Sequence, residues 1–469
     1  MNKVRIIISF FLFLFFSPHL LLSKGQEKDS IVVVINNIRV ILNKITKNHI
    51  IFRELPFHAG DTISRRVLSN KLLSAKQNLL NTSLFNFVMV DTVPLHENML
   101  NIFITVNERW YTWPVPIFEF QERNFNDWWE RRDLSRANYG FTLNQYNFRG
   151  RKEELGLYAQ AGYTVKYGIS YDVPYLSRKQ TSGMGFSFSY ARNHEIPYMT
   201  IDNKQQFFKD PNVFIRKELV GRLKYYYRRN IQNSHYFEAK FVSAQIDDTV
   251  RAITIDYFPN NTGALQYFAL DYSFTRDFRN SKQYPLKGYL LDFEVIKLGI
   301  GVLNKEKVDI TNFFLTAKGY VQVANRIYCS SGLKTKISST VNHPYYVQKG
   351  LGWRDYIRGY EYYVIDGGRY ALAKAGLKYE IIKPHIKNVP LPLNKFNTFH
   401  YALYFGLYGD MGYVEDRLYA GANPLANSLL AGYGVGVDYV TYYDIVLRLE
   451  CSMNKMNELG FFIHFNAGI

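Results

Sequence analysis

The sequence predicts a mainly β protein: a transmembrane antiparallel β-barrel of about 16 strands, preceded by a small α+β domain of order β-α-α-β-β. Three observations carry this. From Trp110 onward, segment after segment alternates apolar with polar or small residues, the period of strands with one greasy and one wet face. Past the first 25 residues no apolar run approaches the ~20 residues that a membrane helix needs, and mean hydropathy is −0.20. The 38 Tyr and 35 Phe are enough to furnish the aromatic girdles of a barrel.

Residues 1–25 read as a secretory leader. Lys3 and Arg5 form its basic start, Ile6 to Leu22 its apolar core broken at Pro18, and Ser23-Lys24-Gly25 a cleavage site before Gln26. Residues 31–109 read as the α+β domain. Ile31 to Ile41 is Val- and Ile-rich, a strand. Lys47 to Leu55 is a short helix, and Pro56 to Asp61 a turn. Ile63, Val67, Leu68, Leu72, Ala75 and Leu79 mark the buried stripe of a longer helix capped by Asp61 or Thr62. Phe85 to Asp91 and Leu100 to Glu108 complete the sheet.

Residues 110–469 read as the barrel. Leu155, Leu157, Ala159, Ala161 and Tyr163 oppose Gly156, Tyr158, Gln160 and Gly162. Met184, Phe186, Phe188 and Tyr190 oppose glycines and serines. At the end, Phe461, Ile463, Phe465, Ala467 and Ile469 oppose Phe462, His464, Asn466 and Gly468. A closed barrel has no exposed edge, so a strand can finish the chain. The competing architecture, a soluble β-sandwich, leaves the leader and the long run of alternating segments unexplained.

The formal charge is +17, and removing the leader takes away Lys3, Arg5 and Lys24 but no acid. The basic residues are dispersed, as in Arg222, Lys224 and Arg228 on one parity, which suits a basic lumen or anionic headgroups rather than nucleic acid. Cys329 and Cys451 make neither a disulfide framework nor a metal site; Cys451 falls on the lipid-facing parity of its strand. No H-E-x-x-H, C-x-x-C or G-x-S-x-G is present, and His58, His235 and His464 are scattered, so no enzyme, cofactor or metal is expected. An outer-membrane phospholipase or protease would need a Ser or Asp beside a His on one barrel face. Gly432-x-Gly434-x-Gly436 sits in an alternating strand with no helix after it, and is not a nucleotide loop.

The candidate site is Ile357-Arg358-Gly359-Tyr360, in a polar aromatic segment. Two following alternating stretches each place one acid on the polar parity, Glu380 and Asp410. The planar fork of an Arg suits a carboxylate, and Gly359 allows a tight turn. The plainer alternative is a solvated Arg with both acids lining a wet lumen.

Several strings carry a family resemblance. "IIFRELPFHAGDTI" followed by "NLLNTSLFNFVMV" resembles a POTRA domain. "YNFRGRKEELGL" at 146–157 is similar to the family's first hairpin, and "FTRDFRNSKQYPLKGYLLDFEV" at 274–295 to its hairpin built on Arg276, Asp277, Pro285 and Gly288. "IRGY" at 357–360, "LKYEI", "YGDMGYV" and "GYGVGVDY" at 432–439 follow in the family's order. On these the chain resembles the BamA/TamA family of bacterial surface antigen type, within the outer-membrane assembly and two-partner-secretion superfamily, with one POTRA-like domain. The resemblance implies an outer-membrane barrel with that domain in the periplasm. It implies insertion, assembly or translocation of polypeptides, with outer-membrane lipids, unfolded or exported chains and accessory periplasmic or lipoprotein subunits as partners. A passive porin-like channel, or a secretion partner for one exported protein, are the alternatives. By motif position Arg358 would fold into the lumen onto Glu380 and Asp410, with Tyr360 wedged on the wall. An edge strand with Phe85, Phe87 and Met89 would pair with an incoming chain.

Overall fold

A computed structural model describes residues 32–120, 137–254, 256–303, 307–388, 397–441 and 445–465. The leader, Ile31 and the end of the chain from Asn466 to Ile469 lie outside the described residues.

The N-terminal unit is a four-stranded sheet covered by helices. Its elements are β1 (Val32–Ile41), α1 (Asn48–Phe52), β2 (Thr62–Ser64), α2 (Arg65–Leu80), β3 (Phe85–His96) and β4 (Met99–Glu108), with sheet order β2-β1-β4-β3. β1 and β4 run parallel, and the outer pairs are antiparallel. Leu68, Ala75 and Leu79 of α2 bury against Ile35, Ile102 and Ile104 of the sheet, with Leu72 packed alongside. The helix starts later than its stripe suggests. Thr62–Ser64 forms an added strand on β1 because Ile63, opposite Val33, belongs to the sheet core. Val67 lies off the 68-72-75-79 stripe and is exposed.

The second sheet has 16 antiparallel strands: β5 (Thr112–Phe120), β6 (Ala137–Phe148), β7 (Glu153–Gly162), β8 (Thr164–Val173), β9 (Ser182–Asn193), β12 (Arg216–Tyr227), β13 (Asn233–Ile246), β14 (Ala264–Asp277), β15 (Gly288–Leu298), β16 (Ile310–Ala324), β17 (Ile327–Ser338), β18 (Arg369–Asn388), β19 (Thr398–Glu415), β20 (Leu430–Val440), β21 (Val446–Asn454) and β22 (Leu459–Phe465). Between β9 and β12 a separate hairpin, β10 (Glu195–Ile201) and β11 (Lys204–Lys209), stands on the rim. Neighbours pair in sequence order throughout. Among the described residues no pairing joins β5 to β22. The outward parity is apolar and exposed, as in Met184, Phe186 and Phe188 on β9 and Phe461, Ile463 and Phe465 on β22. The inward parity is polar; Arg222 faces Glu238 and Lys224 faces Asp172.

Connections at the N-terminal unit's end are short, as at 149–152 and 228–232, whereas the far end carries long ones, 194–215, 247–263 and 339–368. The N-terminal unit packs directly on the short turns. Lys47 N–H donates to the Gly150 carbonyl at 2.9 Å, and a Cβ on Gly150 would lie 2.0 Å from the Ile45 carbonyl oxygen, so the two backbones touch. Arg228, in the β12–β13 turn, grips Glu54 with two hydrogen bonds of 2.6 and 2.9 Å, and the Tyr175 hydroxyl donates to the same carboxylate at 2.8 Å. Burial alone would raise the Glu54 carboxyl; the Arg228 guanidinium overrides this and holds it down at about 2. Arg53 adds a 2.6 Å bond to the Arg228 carbonyl.

Candidate functional site

The 339–368 connection turns back onto the inner wall of β18 to β22. Leu351 and Ile365 bridge its two limbs with reciprocal backbone bonds of 2.9 and 2.8 Å. At its tip Tyr360 N–H donates to the Ile357 carbonyl at 3.0 Å, and Gly359 has φ +81°, so Ile357 to Tyr360 is a turn that needs a left-handed third residue. Space imposes the same choice, since a Cβ on Gly359 would sit 2.9 Å from Asn454 N. Ile357 and Tyr360 bury in an apolar cluster with Leu372, Val414 and Leu430 of the wall. The Asn454 amide clasps the Gly359 carbonyl at 2.9 Å.

This turn aims Arg358 into the wall. Its backbone N–H donates to Asp410 at 3.1 Å, Nη1 to the same carboxylate at 2.5 Å, and Nε to Glu450 at 3.2 Å. Arg358, Asp410 and Glu450 are all buried. The guanidinium lies over the Tyr408 ring, 4.3 Å from its centroid, and Arg448 lies 4.5 Å from the same centroid. Arg448 in turn holds Asp438 through two bonds of 2.6 and 2.9 Å. Lys374 reaches Asp410 at 3.4 Å and Lys378 reaches Asp438 at 3.6 Å. From the opposite end, Tyr284 in the 278–287 turn donates to Asp438 at 2.8 Å. A column of paired charges thus runs along the lumen from the far loop to the turns below. Gly432 is part of it, because a Cβ there would lie 1.8 Å from the Arg358 carbonyl oxygen.

The sequence expectation paired Arg358 with Glu380 and Asp410. The structure brings Arg358 to Asp410 and leaves Glu380 apart, bonded by the Tyr404 hydroxyl at 3.4 Å. Lys374 stands opposite Asp410, and Glu380 is six residues farther along β18, about 20 Å at strand rise. Alternation gives the face of a residue but not its depth. The second partner, Glu450, lies on the polar parity Arg448, Glu450, Ser452, Asn454 of β21, opposite the apolar parity of half-buried, unbridged Cys451.

On the N-terminal unit, β3 is an edge strand. A register shift between Phe85 and Phe87 sends Phe85 into the core rather than onto the face of Phe87 and Met89. Phe87 meets the His400 ring edge-on at 6.4 Å, and Met89 is exposed. In the 274–295 hairpin Asp277 and Arg279 pair at 2.8 Å, and Gly288 has φ +98° with no room for a Cβ.

Against known proteins, a family model described as the Omp85 superfamily domain matches residues 147–441. Two solved structures share the fold. BamA from Haemophilus ducreyi lacking POTRA domains 1–3 aligns with 94% of this chain and 84% of its own, at 15% identity and a TM-score of 0.51. CdiB from Escherichia coli aligns with 92% and 75%, at 13% identity and 0.53. No curated protein matches the sequence. The matched domain spans more than half of the chain and lies on the 16-stranded sheet that holds the charge column: this is an outer-membrane β-barrel of the Omp85 superfamily.

Proposed function

We propose that this barrel inserts, assembles or translocates other polypeptides at the outer membrane. The observation that carries the reading is the loop pinned inside the barrel by Arg358 on Asp410 and Glu450. A passive pore has no use for a buried charge column whose loss would free its own plug. In this reading the N-terminal unit, which packs on the short turns, lies on the periplasmic side and receives a chain before it reaches the membrane; the packing on those turns supports it. The β3 edge offers backbone pairing, with Phe87 and Met89 as its outward side chains. The ends of the sheet, β5 and β22, meet no partner in each other among the described residues, and strand edges are where an incoming strand can add. Partners in this reading are outer-membrane lipids, extended polypeptides and accessory periplasmic or lipoprotein subunits. The chain acts without catalysis.

The test is a census of surface and outer-membrane proteins after depletion, complemented by wild type or by Arg358→Ala. Loss of many barrels and surface proteins, restored by wild type and not by the variant, supports the proposal. Loss of one exported protein alone turns it into a dedicated secretion partner. An unchanged census with altered small-solute uptake makes it a porin.

A further inference from the structure

The pinned loop brings a second group of side chains against the last two strands. Glu361 stands three residues after Arg358, and its Oε1 faces the His464 Nε2 of β22 at 3.7 Å. Glu450 of β21 completes the group, with one donor atom from each residue within 4.8 Å of the others. Both glutamates are buried and His464 is half-buried. Glu450 spends Oε2 on Arg358, while its Oε1 is buried without a hydrogen bond. The His464 Nε2 is likewise buried without one. The other face of that imidazole is held: Nδ1 lies 3.3 Å from the Tyr356 hydroxyl, and the two rings stack at 5.3 Å. In the tautomer that carries its proton on Nδ1, shared with Tyr356, the ring would present the Nε2 lone pair to two carboxylates, the arrangement that orients a metal-binding histidine.

The charges around the group balance. Asp410 is shared by Arg358 and Lys374, and Arg358 also serves Glu450. Arg448, nearby, is engaged on Asp438. With Lys378 also on Asp438, four cations face the four carboxylates Asp410, Asp438, Glu361 and Glu450, so an ion would be held here by its donor atoms and not by an excess of negative charge.

We propose that Glu361, Glu450 and His464 bind a divalent transition-metal ion, for which zinc fits one imidazole and two carboxylates. Zinc bonds of about 2.0–2.2 Å would draw the donors closer by roughly 1 Å. His464 also lines a lumenal cavity of about 670 Å³ with Tyr356 and Lys374, which gives the ion a way in. One ligand comes from the loop, one from β21 and one from β22, so the ion ties the loop to the final hairpin.

Full-length protein in detergent micelles, stripped with chelator, is titrated with zinc sulfate by calorimetry, and proteolysis of the 339–368 loop is followed with and without zinc. The expected result is one saturable equivalent, slower loop cleavage, and at least tenfold weaker binding in Glu361→Gln and in His464→Gln. His58→Gln, on the exposed surface of the N-terminal unit, should bind as wild type. Each variant is scored only if it keeps the heat-modifiable migration of a folded barrel; Glu361 lies in the loop rather than the wall, so its variant leaves the strand pairing intact. The proposal fails if no saturable equivalent appears, if Glu361→Gln and His464→Gln bind zinc as wild type does, or if loop cleavage depends on pH but not on zinc.

Discussion

Arg358 and Gly432 together test how the loop is held against the wall. Arg358→Ala would leave Asp410 and Glu450 buried beside each other with only Lys374 to balance them, and removing one partner of a buried ion pair costs about 3–5 kcal/mol. Backbone pairing in the strands is untouched, so the barrel should still form. The expected outcome is rapid protease access to 339–368, together with larger and noisier conductance in planar bilayers. Gly432→Ala should do the same without altering any charge, because its methyl would occupy the place of the Arg358 carbonyl oxygen. If Gly432→Ala keeps the loop protected while Arg358→Ala releases it, the loop is held by charge alone and its close approach to β20 is incidental. Arg358, Gly359 and Asp410 were legible in the sequence because a turn glycine beside an arginine, and an acid on a polar parity, are local patterns. Glu450 was not, for its strand drew notice through Cys451 on the opposite parity. Glu380 was misplaced because depth along a barrel depends on the stagger of neighbouring strands, which no single segment encodes.

At the level of elements, the barrel strands were the most readable part, since lipid on one side and water on the other impose a strict alternation. The N-terminal unit was less so: a three-residue strand, Thr62–Ser64, is too short to show a period and was absorbed into the helix after it. Its docking onto the turns was invisible, because Glu54 and Arg228 are 174 residues apart. That contact has a definite pH dependence. The Glu54 carboxyl is held at about 2, below its ordinary value near 4.3, so its contribution is present in full above the ordinary value. The contribution is lost as pH falls from there through about 2. Limited proteolysis around residues 109–112 should therefore accelerate across that acid window in wild type and show no such step in Glu54→Gln. Arg228→Ala should loosen the docking even at neutral pH, since it leaves the carboxylate buried without its cation. A cleavage rate flat with pH in wild type would mean that the ion pair does not hold the two units together.

For the molecule as a whole, the polar groups of the lumen are unevenly placed. The charge column and the apolar cluster under the loop stand on β18 to β22, whereas a cavity of about 500 Å³ against β6 to β12 mixes small polar residues such as Thr142, Ser170 and Ser187 with Lys166, Arg216, Glu218 and Arg222. The N-terminal unit grips chiefly the turns of the earlier strands, at 147–152, 175–180 and 228–229. One connection joins the two regions. In the 278–287 turn, Lys282 N–H donates to the Asn81 side chain at the end of α2, and two residues on Tyr284 enters the column at Asp438. A displacement of the N-terminal unit would pull through that turn on a tyrosine whose hydroxyl helps fix the anchor of Arg448, and Arg448 shares the Tyr408 ring with the loop arginine. A load applied on one side of the membrane would then register on the other with no domain crossing it. A double-mutant cycle measures the energetic coupling along this path. With loop protection as the readout, Asn81→Ala and Tyr284→Phe should be non-additive, and strict additivity would show that the two ends of the barrel move independently.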